Sequence, residues 1–288
     1  MMDLSKYKLF YVNGCSHVEG GGLEETAIRP VFSIQPLYEK KFGITWNNRK
    51  EINFATRLSE IIGIPCINEG RSGGSADRVV RMTYDFLFDN WERKDEMFLI
   101  LEKPDPGRSD IWLNALKSYF IVNTYKHGIS GELKVLKATR EHWNSEYDSA
   151  DWLERHKFQA WFENHYNFDE KFKQDEKWFI GLYSFCKLNN IKVFVMMRNE
   201  IYFDECFDKE DIIIFDGYKP NTCDIETWVQ SNGMTINDEL DGKVDDQHPG
   251  YYGHIEYAKE LAKFLGYKGE LKVKEPIKIC TTTGKRLT

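Results

Sequence analysis

Short apolar runs alternate along this chain with stretches whose apolar residues recur every three or four positions. Residues 7–12 form the first run, rich in aromatic and β-branched types, and it stops abruptly at Asn13-Gly14. Such a run reads as a strand buried on both faces. From Glu51 to Ile62 the apolar positions are Ile52, Ala55, Leu58, Ile61 and Ile62, which is helical spacing, with Gly63 placed to end the helix. Ile64–Asn68 is a second short strand. A glycine-rich turn, Glu69-Gly70-Arg71-Ser72-Gly73-Gly74, leads into a helix over about 75–91 whose apolar face is Val79, Val80, Met82, Phe86, Leu87 and Trp91. Met97–Leu101, Ile191–Met197 and Ile212–Phe215 are further strands, and Asp175–Leu188 is a further helix. Strands alternating with helices predict a parallel sheet covered on both faces.

Two regions break the alternation. Residues 23–48, with Pro30 and Pro36, read as a long loop holding a short helix. Residues 114–173 exceed a minimal βα repeat and are rich in Trp, Tyr, Phe, His and charge (Trp143, Trp152, Trp161, Phe162, Tyr166), and they read as a helical insertion. The expected organisation is one α/β domain over 1–270, with a C-terminal strand and polar tail over 271–288. The aromatic residues of the insertion fit a core better than a sugar-stacking platform, and both readings stay open.

Composition changes the picture in a few places. The 288 residues are 41% hydrophobic and 15% aromatic, enough for a sizeable core, and the formal charge of −7 argues against a general nucleic-acid binder. No run of about 18 apolar residues is present, so no membrane partner is expected, and the N-terminus lacks an apolar signal region. The expected location is cytoplasmic. The six cysteines (15, 66, 186, 206, 223 and 280) are scattered without a CxxC, which predicts free thiols and no structural zinc site; no cofactor is expected.

The candidate chemistry sits at the two ends of the chain. Ser16 follows the first strand almost at once, with Gly20-Gly21-Gly22 just beyond it. Asp245-Asp246-Gln247-His248-Pro249 places a carboxylate three residues before a histidine, ahead of a helix-like segment. A serine needs an adjacent base to act as a nucleophile; His248 can supply it and Asp245 can orient the imidazole. The backbone N–H groups of Ser16 and Gly73 are candidate oxyanion donors, because both turns would lie at the C-terminal edge of a parallel sheet. A bland reading stands beside each residue: Ser16 as a turn or cap residue, Asp245 and His248 as a helix cap, Gly73 as a turn former, and His17 and His254 as structural. Asp245, His248 and His254 also offer donors that suit zinc. Cys15, one residue away from the serine, carries no mark of a nucleophile.

Asn13-Gly14-Cys15-Ser16-His17, Asn68-x-Gly70-x-x-Gly73 and Asp245-x-x-His248-Pro249 together resemble blocks I, II and V of the SGNH (GDSL-type) hydrolases. The Gly-Cys-Ser-His spelling is similar to a branch common among phage-encoded members. The resemblance implies a flavodoxin-like three-layer α/β/α fold and metal-free hydrolysis of ester or acetyl groups, on a carbohydrate among other carriers. It assigns Ser16 as nucleophile and oxyanion donor, Gly73 as second donor, His248 as base and Asp245 as its orienter.

One block departs from the pattern. Where the family has Gly-x-Asn-Asp after the third strand, this chain reads Leu101-Glu102-Lys103-Pro104-Asp105-Pro106-Gly107-Arg108, with no asparagine. Arg108 and Asn199 are the substitutes considered for the missing donor, with Glu102 and Asp105 as counter-charges that can instead hold Arg108 in a structural pair. A missing donor typically costs about 10²–10³ in rate. The competing expectation is therefore a catalytically silent binding or virion protein on the same fold.

Overall fold

The computed structural model describes residues 2–21, 23, 35–43, 52–104, 108–113, 118–126, 133–140, 167–197, 204–218, 223–243 and 246–274. Among these residues four parallel strands form the main sheet: β1 (Leu9–Asn13), β2 (Cys66–Asn68), β3 (Met97–Glu102) and, after a second small sheet, β7 (Lys192–Met196). Their order is β2-β1-β3-β7, with Val12 opposite Asn68, Asn13 opposite Leu101, and Glu102 opposite Met196. The expected fourth and fifth strands thus reduce to β7 and a single parallel bridge, Val195 to Ile212.

Every residue of β1 and β3 is buried, so their side chains alternate between two apolar layers. On one face Phe10, Val12, Phe98, Ile100 and Phe194 pack against α3 (Phe54–Ile62), α6 (Ile225–Ser231) and α8 (Tyr251–Phe264). On the other, Tyr11, Leu99, Leu101, Val193 and Val195 pack against α4 (Ala76–Asp89) and α5 (Phe168–Leu188). The predicted three-layer α/β/α arrangement is what the chain forms. The helices start where capping side chains allow: Asn53 Oδ1 accepts Thr56 N–H at 3.0 Å, Ser75 Oγ accepts Arg78 N–H at 3.2 Å, and Asp224 Oδ1 accepts Thr227 N–H at 3.1 Å. Gly63 ends α3 in the left-handed region, at φ +72°, as the sequence predicts.

The insertion differs from expectation. β4 (Arg108–Leu113), β5 (Ser118–Lys126) and β6 (Leu133–Arg140) form an antiparallel sheet in the order β4-β5-β6. Where the sequence predicts helix from 114 onward, β5 and β6 stand instead, and α5 begins at Phe168. Residues 141–166, including Trp143, Trp152 and Trp161, lie outside the described residues. The short helix expected within 23–48 is α2 (Gln35–Phe42). Of the predicted C-terminal strand, 271–274 have no regular structure and the remainder is not described.

The strand order fixes where a site can form. The chain passes from β1 outward to β2, then returns to place β3 on the other side of β1. A crevice therefore opens between the loops that leave β1 and β3, at the carboxyl edge of the sheet. Ser16 and Glu102 lie there, and the loop after β2 opens on the same edge.

Candidate active site

Ser16 opens a four-residue helix, α1 (Ser16–Glu19), for which extended Cys15 is the N-cap. The turn is pinned from several sides. Asn13 Oδ1 accepts Gly14 N–H at 2.9 Å, and the Asn13 amide donates to Tyr11 Oη at 2.9 Å. The Asn68 amide donates to Val18 O at 2.8 Å. Gly14 has no alternative residue at this packing, because a Cβ there would sit 2.5 Å from Glu102 Oε2 and from Val18 Cγ2. Gly21 likewise leaves room at the serine, since its Cβ would lie 2.9 Å from Ser16 Cβ and 3.5 Å from His248 Cδ2.

His248 arrives from the segment between α7 (Ile236–Glu239) and α8. That segment is held by three backbone bonds of 2.9 Å: Ile236 N–H to His248 O, Asn237 N–H to Asp246 O, and Gly250 N–H to Met234 O. Glu239 fastens the start of α8 by accepting Gly253 N–H at 2.9 Å, while its other oxygen accepts the Tyr38 hydroxyl. His248 Nε2 ends 3.3 Å from Ser16 Oγ, the slightly loose reach expected without substrate. Its Nδ1 lies 2.7 Å from Asp246 Oδ1, and the same oxygen accepts the His248 backbone N–H at 2.9 Å. Burial pushes the Asp246 carboxyl up, but the bonds from the His248 ring and backbone outweigh it and hold the group below the ordinary carboxylate range.

The carboxylate on His248 is therefore Asp246. Asp245, expected in that place, lies outside the described residues, as does Asn199. The zinc alternative built on Asp245, His248 and His254 falls in part on Asp245, outside the described residues. His254 is fully buried, its Nδ1 accepts Phe54 N–H at 3.1 Å, and burial pulls its pKa down to about 3, so it is a neutral structural histidine.

Gly73 adopts φ +77° in the loop after β2. This loop is closed on itself by Gly74 N–H to Arg71 O at 2.7 Å and tied to the serine turn through Arg71 N–H to Gly14 O at 3.1 Å and Ser72 N–H to the buried Glu19 carboxylate. Glu19 was not singled out in the sequence; a carboxylate three residues past the serine, inside an otherwise apolar and glycine-rich turn, was the available signal. Arg108 Nη1 donates to Gly74 O at 3.4 Å, which places the guanidinium against this loop. Its expected counter-charge Glu102 is engaged elsewhere: Glu102 is fully buried and its Oε2 accepts Cys15 N–H at 2.8 Å. Asp105 lies outside the described residues.

The remaining neighbours of Ser16 are Cys15 and His17, both buried. Cys15 Sγ is 3.1 Å from His17 Nδ1, and the His17 ring centre is 5.1 Å from that of His248. Burial works against a charge on His17, but Cys15 and Glu102 beside it hold its pKa well above the usual value. Burial likewise pushes Glu102 up, yet His17 and the Cys15 N–H bring it down to about 2. The five cysteines among the described residues are free thiols, and among those residues no helix is long and apolar enough to cross a membrane.

Arg108→Ala is expected to loosen the Gly73 loop. One charge-assisted bond is worth about 1–1.5 kcal/mol, or about fivefold to tenfold in rate, so kcat/KM should fall by that much with little change in urea stability. Arg108→Lys should recover part of it. Equal kcat/KM in all three proteins would remove Arg108 from the site.

No family model matches the chain, and no curated protein matches it. A solved structure named "putative lipolytic protein of G-D-S-L family from Desulfitobacterium hafniense DCB-2" aligns over 90% of this chain and 99% of its own, at 11% identity and a TM-score of 0.32. That overlap is too loose to carry an argument about chemistry.

Proposed function

We propose that this chain is a serine hydrolase of the SGNH type that cleaves an ester or acetyl group. The observation that carries the reading is the line from Ser16 Oγ through His248 to Asp246, with steps of 3.3 and 2.7 Å. Ser16 Oγ attacks the acyl carbon while His248 Nε2 takes its proton, and Asp246 holds the imidazole in the tautomer that leaves Nε2 unprotonated. His248 then hands the proton to the departing alcohol. A water enters, gives a proton to the same nitrogen, and releases the acyl group from the serine. The oxyanion faces the backbone N–H groups of Ser16 and Gly73. Ser16 N–H belongs to the first turn of α1, which leaves it without an intrahelical acceptor. A carbohydrate carrier for the acyl group, part of the same proposal, rests on insertion residues that are not described.

One observation favours the silent alternative, a binding or virion protein. The loop after β3 turns its polar side chains inward at the position of the missing asparagine: Glu102 toward Cys15, and Lys103 onto Glu176 at 3.0 Å. A fluorophosphonate probe separates the two readings, because it labels only a serine activated by a base. Intact-mass and peptide analysis should find one adduct, on Ser16, and none in His248→Ala. A wild-type chain that stays unlabelled at probe excess would favour the silent reading.

A further inference from the structure

A second cluster borders the serine and takes no part in the proposed hydrolysis. Cys15 Sγ, a ring nitrogen of His17 and a Glu102 carboxylate oxygen all lie within 4.8 Å of one another, and all three residues are buried. His17 Nδ1 stands 3.1 Å from the sulfur and 3.8 Å from Glu102 Oε1. Glu102 spends one oxygen on Cys15 N–H, while Oε1 is fully buried and has no hydrogen-bond partner. Its ion-pair partner, the His17 ring at 3.8 Å, is beyond hydrogen-bond reach, and a buried carboxylate oxygen without a hydrogen bond is costly unless a closer donor or a metal meets it. On the other side of the ring, Glu226 Oε2 lies 3.3 Å from His17 Nε2. A carboxylate there keeps a proton on Nε2, so that once the Nδ1 proton is displaced the lone pair faces the sulfur and Glu102, which is the second-shell arrangement typical of metal-bound histidines.

We propose that Cys15 Sγ, His17 Nδ1 and Glu102 Oε1 form a binding site for a divalent transition metal of the zinc class, with Glu226 orienting the histidine from behind. The donor set is thiolate, imidazole and carboxylate, which suits zinc. Zinc holds sulfur at about 2.3 Å and nitrogen or oxygen at about 2.0–2.2 Å, so tetrahedral neighbours sit roughly 3.2–3.6 Å apart. The separations of 3.1 and 3.8 Å bracket that range. Binding releases to solvent the proton that lies between Cys15 Sγ and His17 Nδ1, and metal–sulfur and metal–nitrogen bonds take its place. The ion then clamps both neighbours of Ser16 in the chain to the end of β3, and its role is to position the serine turn. The site stands whether or not Ser16 hydrolyses anything.

The test uses the full chain, purified without chelators or a histidine tag. Elemental analysis should find about one equivalent of zinc or a competing divalent ion. After stripping, added Co²⁺ should produce a near-ultraviolet thiolate charge-transfer band and visible bands of four-coordinate intensity. Cys206→Ser, at an exposed thiol, should keep both. Cys15→Ala should lose the near-ultraviolet band, and Glu226→Gln should keep the spectrum while weakening affinity about 10–100-fold. If Cys15→Ala fails to fold, the wild-type Co²⁺ spectrum and a Zn²⁺-dependent rise in melting temperature decide the matter alone. A wild-type chain without stoichiometric metal and without a Co²⁺ band, or a Cys15→Ala chain that keeps the band, overturns the proposal. The cluster would then be a hydrogen-bonded Cys-His-Glu group only.

Discussion

Replacing Ser16 with alanine is expected to lower turnover of p-nitrophenyl acetate by about 10⁴–10⁶-fold, toward the rate without protein. A serine hydroxyl is a weak nucleophile until a base removes its proton, and His248 Nε2 is the base within reach, at 3.3 Å. His248→Ala should therefore cost about as much as Ser16→Ala, and the double variant should cost no more than either alone, because the two groups act in one step. Folding should barely register the serine change. The substitution removes one hydroxyl and one long hydrogen bond, a loss of about 1 kcal/mol or less, and Gly21 already leaves space beside the Cβ. Steady-state kinetics next to urea denaturation separates the two effects. A Ser16→Ala chain that keeps a tenth or more of the activity would place the chemistry elsewhere.

The parts of the fold that were legible in the sequence are those buried on both sides. Leu9–Asn13 and Met97–Glu102 sit entirely between two helical layers, so each reads, up to its polar last residue, as an unbroken apolar run that no amphipathic helix would give. The N-caps at Asn53, Ser75 and Asp224, not named from the sequence, act within three residues of themselves. The strands of the insertion are hidden at the level of composition, because the average over its sixty residues is charged and rich in tryptophan. Within it, Ser118–Lys126 carries Tyr119, Phe120, Ile121, Val122, Thr124 and Tyr125, a run with strand propensity that the charged and tryptophan-rich surroundings obscured. What stayed illegible depends on contacts distant in the chain. Glu102 reaches the backbone of Cys15 across 87 positions, so a residue sought as a partner for Arg108 belongs to the serine turn. A thiol, an imidazole and a carboxylate that meet in this way leave no CxxC-like spacing to find.

Exchanging Asp246 for asparagine is expected to lower kcat by about 10⁴-fold, as loss of the orienting carboxylate does in serine hydrolases of this geometry, while Asp245→Asn should remain close to wild type. Two adjacent aspartates precede His248, and spacing alone cannot choose between them, because the choice depends on how the turn folds back. In the folded chain Asp246 Oδ1 accepts both the ring Nδ1–H and the backbone N–H of His248. Two bonds from one residue to one oxygen fix the ring in position and in tautomer. An asparagine there keeps the shape, but its amide can offer N–H to Nδ1 and so stabilise the tautomer with the proton on Nε2, where it blocks the serine. The carboxylate works across the neutral range because the His248 bonds, against the pull of burial, hold its pKa below the ordinary value. That lowered pKa also carries a stability consequence. The contribution from Asp246 is present above its unfolded pKa of about 4 and is lost as pH falls through the lower folded value. Acid denaturation of Asp246→Asn should therefore be less steep than that of wild type, whereas Asp245→Asn should follow the wild-type curve. The opposite ranking, with Asp245→Asn inactive and Asp246→Asn active, would return the orienting role to Asp245 and would mean that the Asp246 bond is a turn contact only.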